Sequence, residues 1–437
     1  MTHTVRTTTY RATVWVGLAL TLGLPGTSAA ADRAPREVVR GATSASDVFA
    51  AQRRLRGWLE NEKPSRPPTS PIHIQLTPEE RATLKQRATG AGAPLKVGLV
   101  RALSPGVAVS GLDRRRLSKR GRSVAGGTLA ATDDGGFVWV TSVASEGAGG
   151  LRVHLSAFEL PPNAALYFFG GSDEAYGPYV GRGPNGDGDF WTPSVLRSEA
   201  ELLVRHFGPA TEAERRQVSV VVSAVGHLEP QFPEAIEQAG TSFCGNPMCI
   251  VDASCLTNAA VADATNAVAQ LEWVSGPFLY TCTGGLLADT DASTQIPYLL
   301  TANHCISRGK DARSLEAFFL YRTSACGDAC PSNAGFSRAL GATIRATGSA
   351  GDFTLLELGQ TPPSGTVMLG WNKNPVAFTN GADLYRISHP NFGAQTFSHH
   401  RVDTSAPTCS SWPRGQRIYS RDVEGATDGG SSGSPVV

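Results

Sequence analysis

All eight cysteines of this 437-residue chain lie in its C-terminal part: Cys244, Cys249, Cys255, Cys282, Cys305, Cys326, Cys330 and Cys409. A chain divided this way must build one half from apolar burial alone and another that disulfides can staple. No Cys-x-x-Cys pair with a matching His or second pair occurs, so no structural zinc and no other metal or cofactor is expected. Disulfides need an oxidising compartment, and the N-terminus supplies a route to one. Arg6 and Arg11 precede the apolar run 12–24, and a Pro-Gly break then leads to the small residues 27–31. That order reads as an export signal over 1–31; the alternative is an uncleaved membrane anchor. No later segment approaches about 20 continuous apolar residues, so a secreted protein without membrane attachment after signal cleavage is expected.

The balance of charge narrows the partners. With 39 basic and 38 acidic residues the formal net charge is +1, which gives nucleic acid or an anionic membrane no electrostatic hold. The 48 Gly and 28 Pro, with few long helical patterns, indicate a turn-rich β protein.

Residues 32–123 read as an N-terminal segment with short helices. Val48, Ala51, Leu55 and Leu59 have helical spacing behind Ser46 as a cap. Thr77-Pro78-Glu79-Glu80 joins a cap, a first-turn proline and a capping-box glutamate, which predicts a helix over 78–88. The basic run 113–122 reads as a solvated loop, or else as a processing site for another protease. From about 124 the pattern becomes strands: 135–143, 151–160, 164–171, 200–208 and 218–228, separated by Gly-, Pro- and Asn-rich turns. These predict an antiparallel sandwich over 124–228. "NGDGD" (185–189) lacks the downstream acidic ligand of a calcium loop and reads as a turn. Residues 217–307 contain no Lys or Arg. A linker is expected at 229–243, with a second domain from 244 to 437.

Three short motifs in that second domain carry chemistry together. "YLLTANHCIS" (298–307) delivers His304 at the end of an apolar strand, beside Cys305. "GDFTLLELG" (351–359) opens a strand with Asp352, suited to take an imidazole Nδ1–H and fix its tautomer. "GGSSGSP" (429–435) sets Ser432 between glycines. The order His, Asp, Ser is that of the double-barrel serine proteases, not of subtilisins or α/β-hydrolases. His389 reads as structural, and His399-His400 as a poor metal pair, because neighbours on a strand point to opposite faces.

With "CIVDASC" (249–255), "YTCTGGLL" (280–287), "LLTANHC" (299–305), "GDFTLLEL" (351–358), "RISHPNF" (386–392) and "GSSGSP" (430–435), the chain from about 240 resembles the trypsin/chymotrypsin superfamily. More closely, it resembles the secreted bacterial lysyl endopeptidases, and "FELPPNAALYFFG" (158–170) is similar to their propeptides. The resemblance implies an all-β fold: a trypsin-like double β-barrel preceded by an antiparallel β-sandwich pro-region. It implies His304 as general base, Asp352 as its orienter, Ser432 as nucleophile, and the backbone N–H groups of Gly430 and Ser432 as oxyanion hole. It implies the bridges Cys282–Cys305 and Cys255–Cys326, and leaves Cys249 without a partner in this chain. Cys330–Cys409 is expected as a further bridge outside the family's usual set.

The expected function is thus a secreted serine endopeptidase, made as a zymogen and monomeric, with protein or peptide substrates and its own pro-region as partners. The alternative is a secreted non-catalytic binding protein or an inactive truncated homologue. Specificity residues of the superfamily mostly follow the nucleophile, so the second barrel is expected to be incomplete at Val437. Cleavage after lysine is implied, yet an enzyme of that preference could not free itself near residue 240. Another protease would mature it, or its own preference is not basic.

Overall fold

In the computed structural model, residues 33–437 are described apart from 69, 86–92, 113–116, 172, 232–243, 245, 247–248, 259–260 and 292. The export signal, most of the linker and the start of the basic run lie outside the described residues. The rest is all-β with few helices.

The five strands expected from alternation form at Phe137–Ser145, Gly150–Glu159, Ala164–Gly170, Glu199–His206 and Ser219–Leu228. They divide between two sheets. One holds, in order, Glu174–Tyr179, Ala164–Gly170, Glu199–His206, Phe137–Ser145, Gly127–Ala131 and Arg122–Val124. The other begins with Phe190–Trp191, Gly150–Glu159 and Ser219–Leu228. Their inner faces enclose a core of Phe137, Trp139, Leu151, Val153, Phe158 and Phe168, each essentially without exposure. Burying a side chain of that size stabilises by about 1.5–3 kcal/mol.

Strands begin well before residue 124. Leu95–Ser110 pairs with Ser219–Leu228 on one side and with Phe278–Leu287 on the other, in the register Phe278↔Leu99 and Leu279↔Gly98. The second sheet therefore runs without a break from the cysteine-free half into the cysteine-rich half. It continues through Val268–Ser275, Glu316–Phe319 and Arg338–Leu340, and branches through Tyr298–Thr301, Phe353–Leu358 and Ala342–Gly348. Beyond it lies a four-stranded sheet of Val251–Asp252, Thr396–Val402, Asp383–Ser388 and Ser420–Glu424.

A second early segment also joins the C-terminal half. Arg33–Ala34 pairs with Trp371–Asn372, and Glu37–Val38 pairs with Val367–Met368. Ala34 and Val39 are buried among Leu271, Cys282, Leu299 and Leu356. This strap had no sequence signature, because two-residue strands show no alternation.

The helices follow their caps. Helix Ala45–Glu62 is capped by Ser44, whose Oγ accepts from Asp47 N, so the cap lies two residues before the expected Ser46. Pro78–Lys85 has the reciprocal bonds expected of Thr77 and Glu80.

Where the two halves meet, charge is buried. Arg152 donates to Ser314 O at 2.8 Å and Thr192 O at 2.9 Å, and lies 3.2 Å from Glu316. Glu316 Oε1 also accepts from the N–H and Oγ of Ser194, while its Oε2 pairs with Arg338 at 2.5 Å. Arg338 reaches back across the seam to Glu174 at 3.0 Å. Isolated ions here would cost several kcal/mol each, so the mutual pairing is what makes their burial tolerable.

Candidate active site

His304, Asp352 and Ser432 line one cleft of about 400 Å³. Three local structures bring them there. Strand Tyr298–Thr301 pairs with Phe353–Leu358 so that Thr301 faces Thr354. Both strands leave that pairing at the same end, one toward His304 and the other from Asp352. Asp352 closes the preceding turn through its N–H to Ser349 O, with φ +51. That left-handed backbone is one that Asp tolerates better than most residues.

The carboxylate is fully engaged on one residue. Asp352 Oδ1 accepts the His304 backbone N–H at 3.0 Å, and its two oxygens lie 3.0 and 2.8 Å from His304 Nδ1. A carboxylate there places the proton on Nδ1, which leaves Nε2 as the basic nitrogen. His304 Nε2 is buried and makes no hydrogen bond, to the Ser432 hydroxyl or to any other group among the described residues. The three groups thus share one cleft with the His–Asp bond made and the Ser–His bond unmade. Such bonds are often long in unliganded sites.

Adjacent residues of strand Phe278–Leu287 fix both halves of the site. Cys282 is bridged to Cys305, next to His304. Thr283 holds the serine turn: its N–H donates to Ser432 O and its Oγ1 to Gly430 O, each at 2.8 Å. No local sequence pattern marks Thr283, whose partners Gly430 and Ser432 lie about 150 residues away. The turn closes through Ser431 N to Asp428 O and Ser434 N to Ser431 O. Gly430 has φ +98, and a Cβ there would lie 2.6 Å from His389 O, so only glycine fits. Ser431, Ser432 and Ser434 all line the cleft, but Ser431 is buried with its Oγ accepting from Asp428 N, and the Ser434 Oγ is buried. Neither the Gly430 nor the Ser432 N–H is taken by a protein acceptor among the described residues.

The other histidines have separate settings. His389 is buried, its Nδ1–H donates to Gly393 O at 2.9 Å, and its ring stacks on Tyr321. Burial pulls its pKa down to about 4 despite the Gly393 bond, so it is neutral at ordinary pH. His399 pairs with Asp383 and His400 with Asp422, away from the cleft. The "NGDGD" segment closes on itself, with Asn185 donating to Asp189 O and Asp189 N to Asp187. Cys282, Cys305 and His304 place ligand-type atoms close together, but a disulfide offers no thiolate and this is not a metal-ligand set.

Two further bridges join Cys255 to Cys326 and Cys244 to Cys330. The second replaces the expected Cys330–Cys409 pairing; Cys409 is free and exposed, as is Cys249. A larger cavity of about 620 Å³ lies at the seam against helix Ala45–Glu62. No serine–histidine–carboxylate set lines it, so size does not select the site.

Residues 245–437 match the family model described as "Lysyl endopeptidase, C-terminal domain". A lysyl endopeptidase of Pseudomonas aeruginosa is 27% identical over 389 residues, which cover 84% of this chain and 76% of that protein. Among solved structures, the active form of the Rv3671c protease from M. tuberculosis covers 44% of this chain and 75% of its own. It is 18% identical, with a TM-score of 0.27. Deg5 covers 40% of this chain and 76% of its own, at 14% identity and a TM-score of 0.28.

Proposed function

We propose that the chain, which is similar to lysyl endopeptidases, is a secreted serine endopeptidase made as a zymogen. Ser432 attacks the scissile carbonyl. His304 Nε2 accepts its proton and later returns it to the leaving amine, while Asp352 stabilises the imidazolium. The N–H groups of Gly430 and Ser432 receive the developing oxyanion, each contributing about 10²–10³ in rate. An acyl-enzyme then forms and is hydrolysed.

One observation carries this reading: an imidazole fixed at Nδ1 by Asp352, with its Nε2 buried, unpartnered and on the cleft that Ser432 lines. Nothing in binding alone calls for that arrangement. Three disulfides favour an oxidising compartment. No helix among the described residues is long and apolar enough to cross a membrane. The sandwich over 124–228 is assigned as pro-domain, followed by the linker 229–243 and the catalytic domain 244–437. Cleavage after lysine is proposed from the relative's name. The test is full-length chain against Ser432→Ala on peptide substrates that differ only in the residue before the scissile bond. Loss of turnover in the mutant and selective turnover after lysine are expected. Equal activity in both proteins removes the catalytic assignment.

A further inference from the structure

An oxyanion donor works only if its peptide faces the cleft, and something must hold it that way. The Gly430 N–H belongs to the peptide whose carbonyl is Gly429 O. A peptide is planar and trans, so its C=O and N–H point in opposite directions. Fixing Gly429 O on one side therefore aims the Gly430 N–H to the other. Gly429 O accepts from Asn391 N at 2.6 Å. We propose that Asn391 is a positioning residue for the oxyanion donor, and that the His389–Gly393 loop links that donor to the N-terminal region.

The loop is built for this and is costly elsewhere. Asn391 and Phe392 both have positive φ, +53 and +65. Asparagine tolerates that backbone; phenylalanine does so only where its surroundings impose it. Around Asn391, its Nδ2 donates to Asp428 Oδ2 at 3.1 Å and to Asn246 Oδ1 at 2.7 Å. His389 N donates to Thr283 Oγ1, the hydroxyl that holds Gly430 O. Around Phe392, the ring is buried with Val97, Leu228 and Leu279, the first two from the strands of the N-terminal region. Gln231 completes the clamp, its Nε2 donating to Phe392 O at 3.0 Å and its Oε1 accepting from Asn333 N. The loop thus has one face on the serine turn and the other on the region before residue 232.

This inference rests on the protease reading, and the experiment separates the two. Full-length chain, Asn391→Val, Asn391→Gly and Gln231→Ala are assayed on one peptide substrate, with active sites titrated by a serine-directed reagent. Valine resists positive φ and should turn the Gly429 peptide, lowering kcat by about 10- to 100-fold with KM within about twofold. Glycine keeps the backbone and should recover most of that loss. The acid limb of the pH profile should not move. Gln231→Ala, remote from the cleft, should lower kcat several-fold at unchanged KM. A folded Asn391→Val with unaltered kcat, or one whose loss lies in KM or in a shifted acid limb, overturns the proposal. If Asn391→Val does not fold, Gln231→Ala decides, and an unchanged kcat there overturns it. A Ser432→Ala protein as active as the parent overturns the protease reading and this inference with it.

Discussion

Glu272 lies fully buried at the seam between the two halves, on strand Val268–Ser275. Its Oε1 accepts from Asn333 Nδ2 at 2.8 Å, and its Oε2 has no partner. Burial, aided by nearby Glu316, raises its pKa to about 8 against the pull of Arg338 and Arg152. Glu316 behaves oppositely: burial would raise it, but Arg152, Arg338 and the Ser194 bonds hold it charged and lowered. One carboxylate of the cluster is thus neutral and the other ionised at pH 7. In the unfolded chain Glu272 would titrate near 4.3. Between these values the folded state keeps a proton that the unfolded state releases. The stabilising contribution is complete below about pH 4.3 and is lost as pH rises through about 8. Each pH unit costs about 1.4 kcal/mol, so the loss by pH 8 is on the order of 5 kcal/mol. Glutamine has nearly the same shape, still accepts from Asn333 and cannot ionise. Glu272→Gln should match the parent at pH 4–5 and exceed it by several kcal/mol at pH 8–9. Urea unfolding followed by tryptophan fluorescence measures this, with buried Trp273 one residue away as reporter. Parallel stability curves for the two proteins across pH 5–9, or a weaker mutant at pH 8, would refute the reasoning.

The other predictions concern the site and its staples. Asp352→Asn presents an amide to His304 Nδ1 and favours the wrong tautomer. It should lower kcat by about 10⁴ with little change in KM, measured by steady-state peptide hydrolysis. Alkylation without reduction should modify Cys249 and Cys409 alone, and a digest should yield linked peptides for Cys244–Cys330, Cys255–Cys326 and Cys282–Cys305. A Cys330–Cys409 peptide would contradict the observed pairing.

Local chemistry made some elements readable and left others invisible. The sandwich strands were legible because their apolar runs end at glycine and proline, and helix Pro78–Lys85 because Thr77 and Glu80 satisfy each other's N–H. His304, Asp352 and Ser432 could be nominated from three short motifs in a telling order. What no motif carries is partner choice. Leu95–Ser110 has two pairing edges, and nothing within it says that one belongs to Phe278–Leu287. Thr283 and Asn391 act through main-chain and hydroxyl bonds to residues far along the chain, so their residue types alone reveal nothing. Cys330 had several candidate partners at similar separations, and loop closure discriminates weakly among them, since its cost grows only slowly with length.

The strap at Arg33–Val38 gives a final consequence. Chain order and spatial order disagree: the first described residues are interleaved with strands near 370, and Leu95–Ser110 sits inside a sheet that spans both halves. A backbone cut between Gln231 and Cys244 would leave a two-chain particle, not two separate proteins. Departure of the N-terminal piece would require unzipping the strap, parting Leu99 from Phe278 and exposing the paired charges of Arg152 and Glu316. Liberation of the C-terminal half would then be timed by that dissociation, and proteolysis of the N-terminal piece itself would be the faster way out.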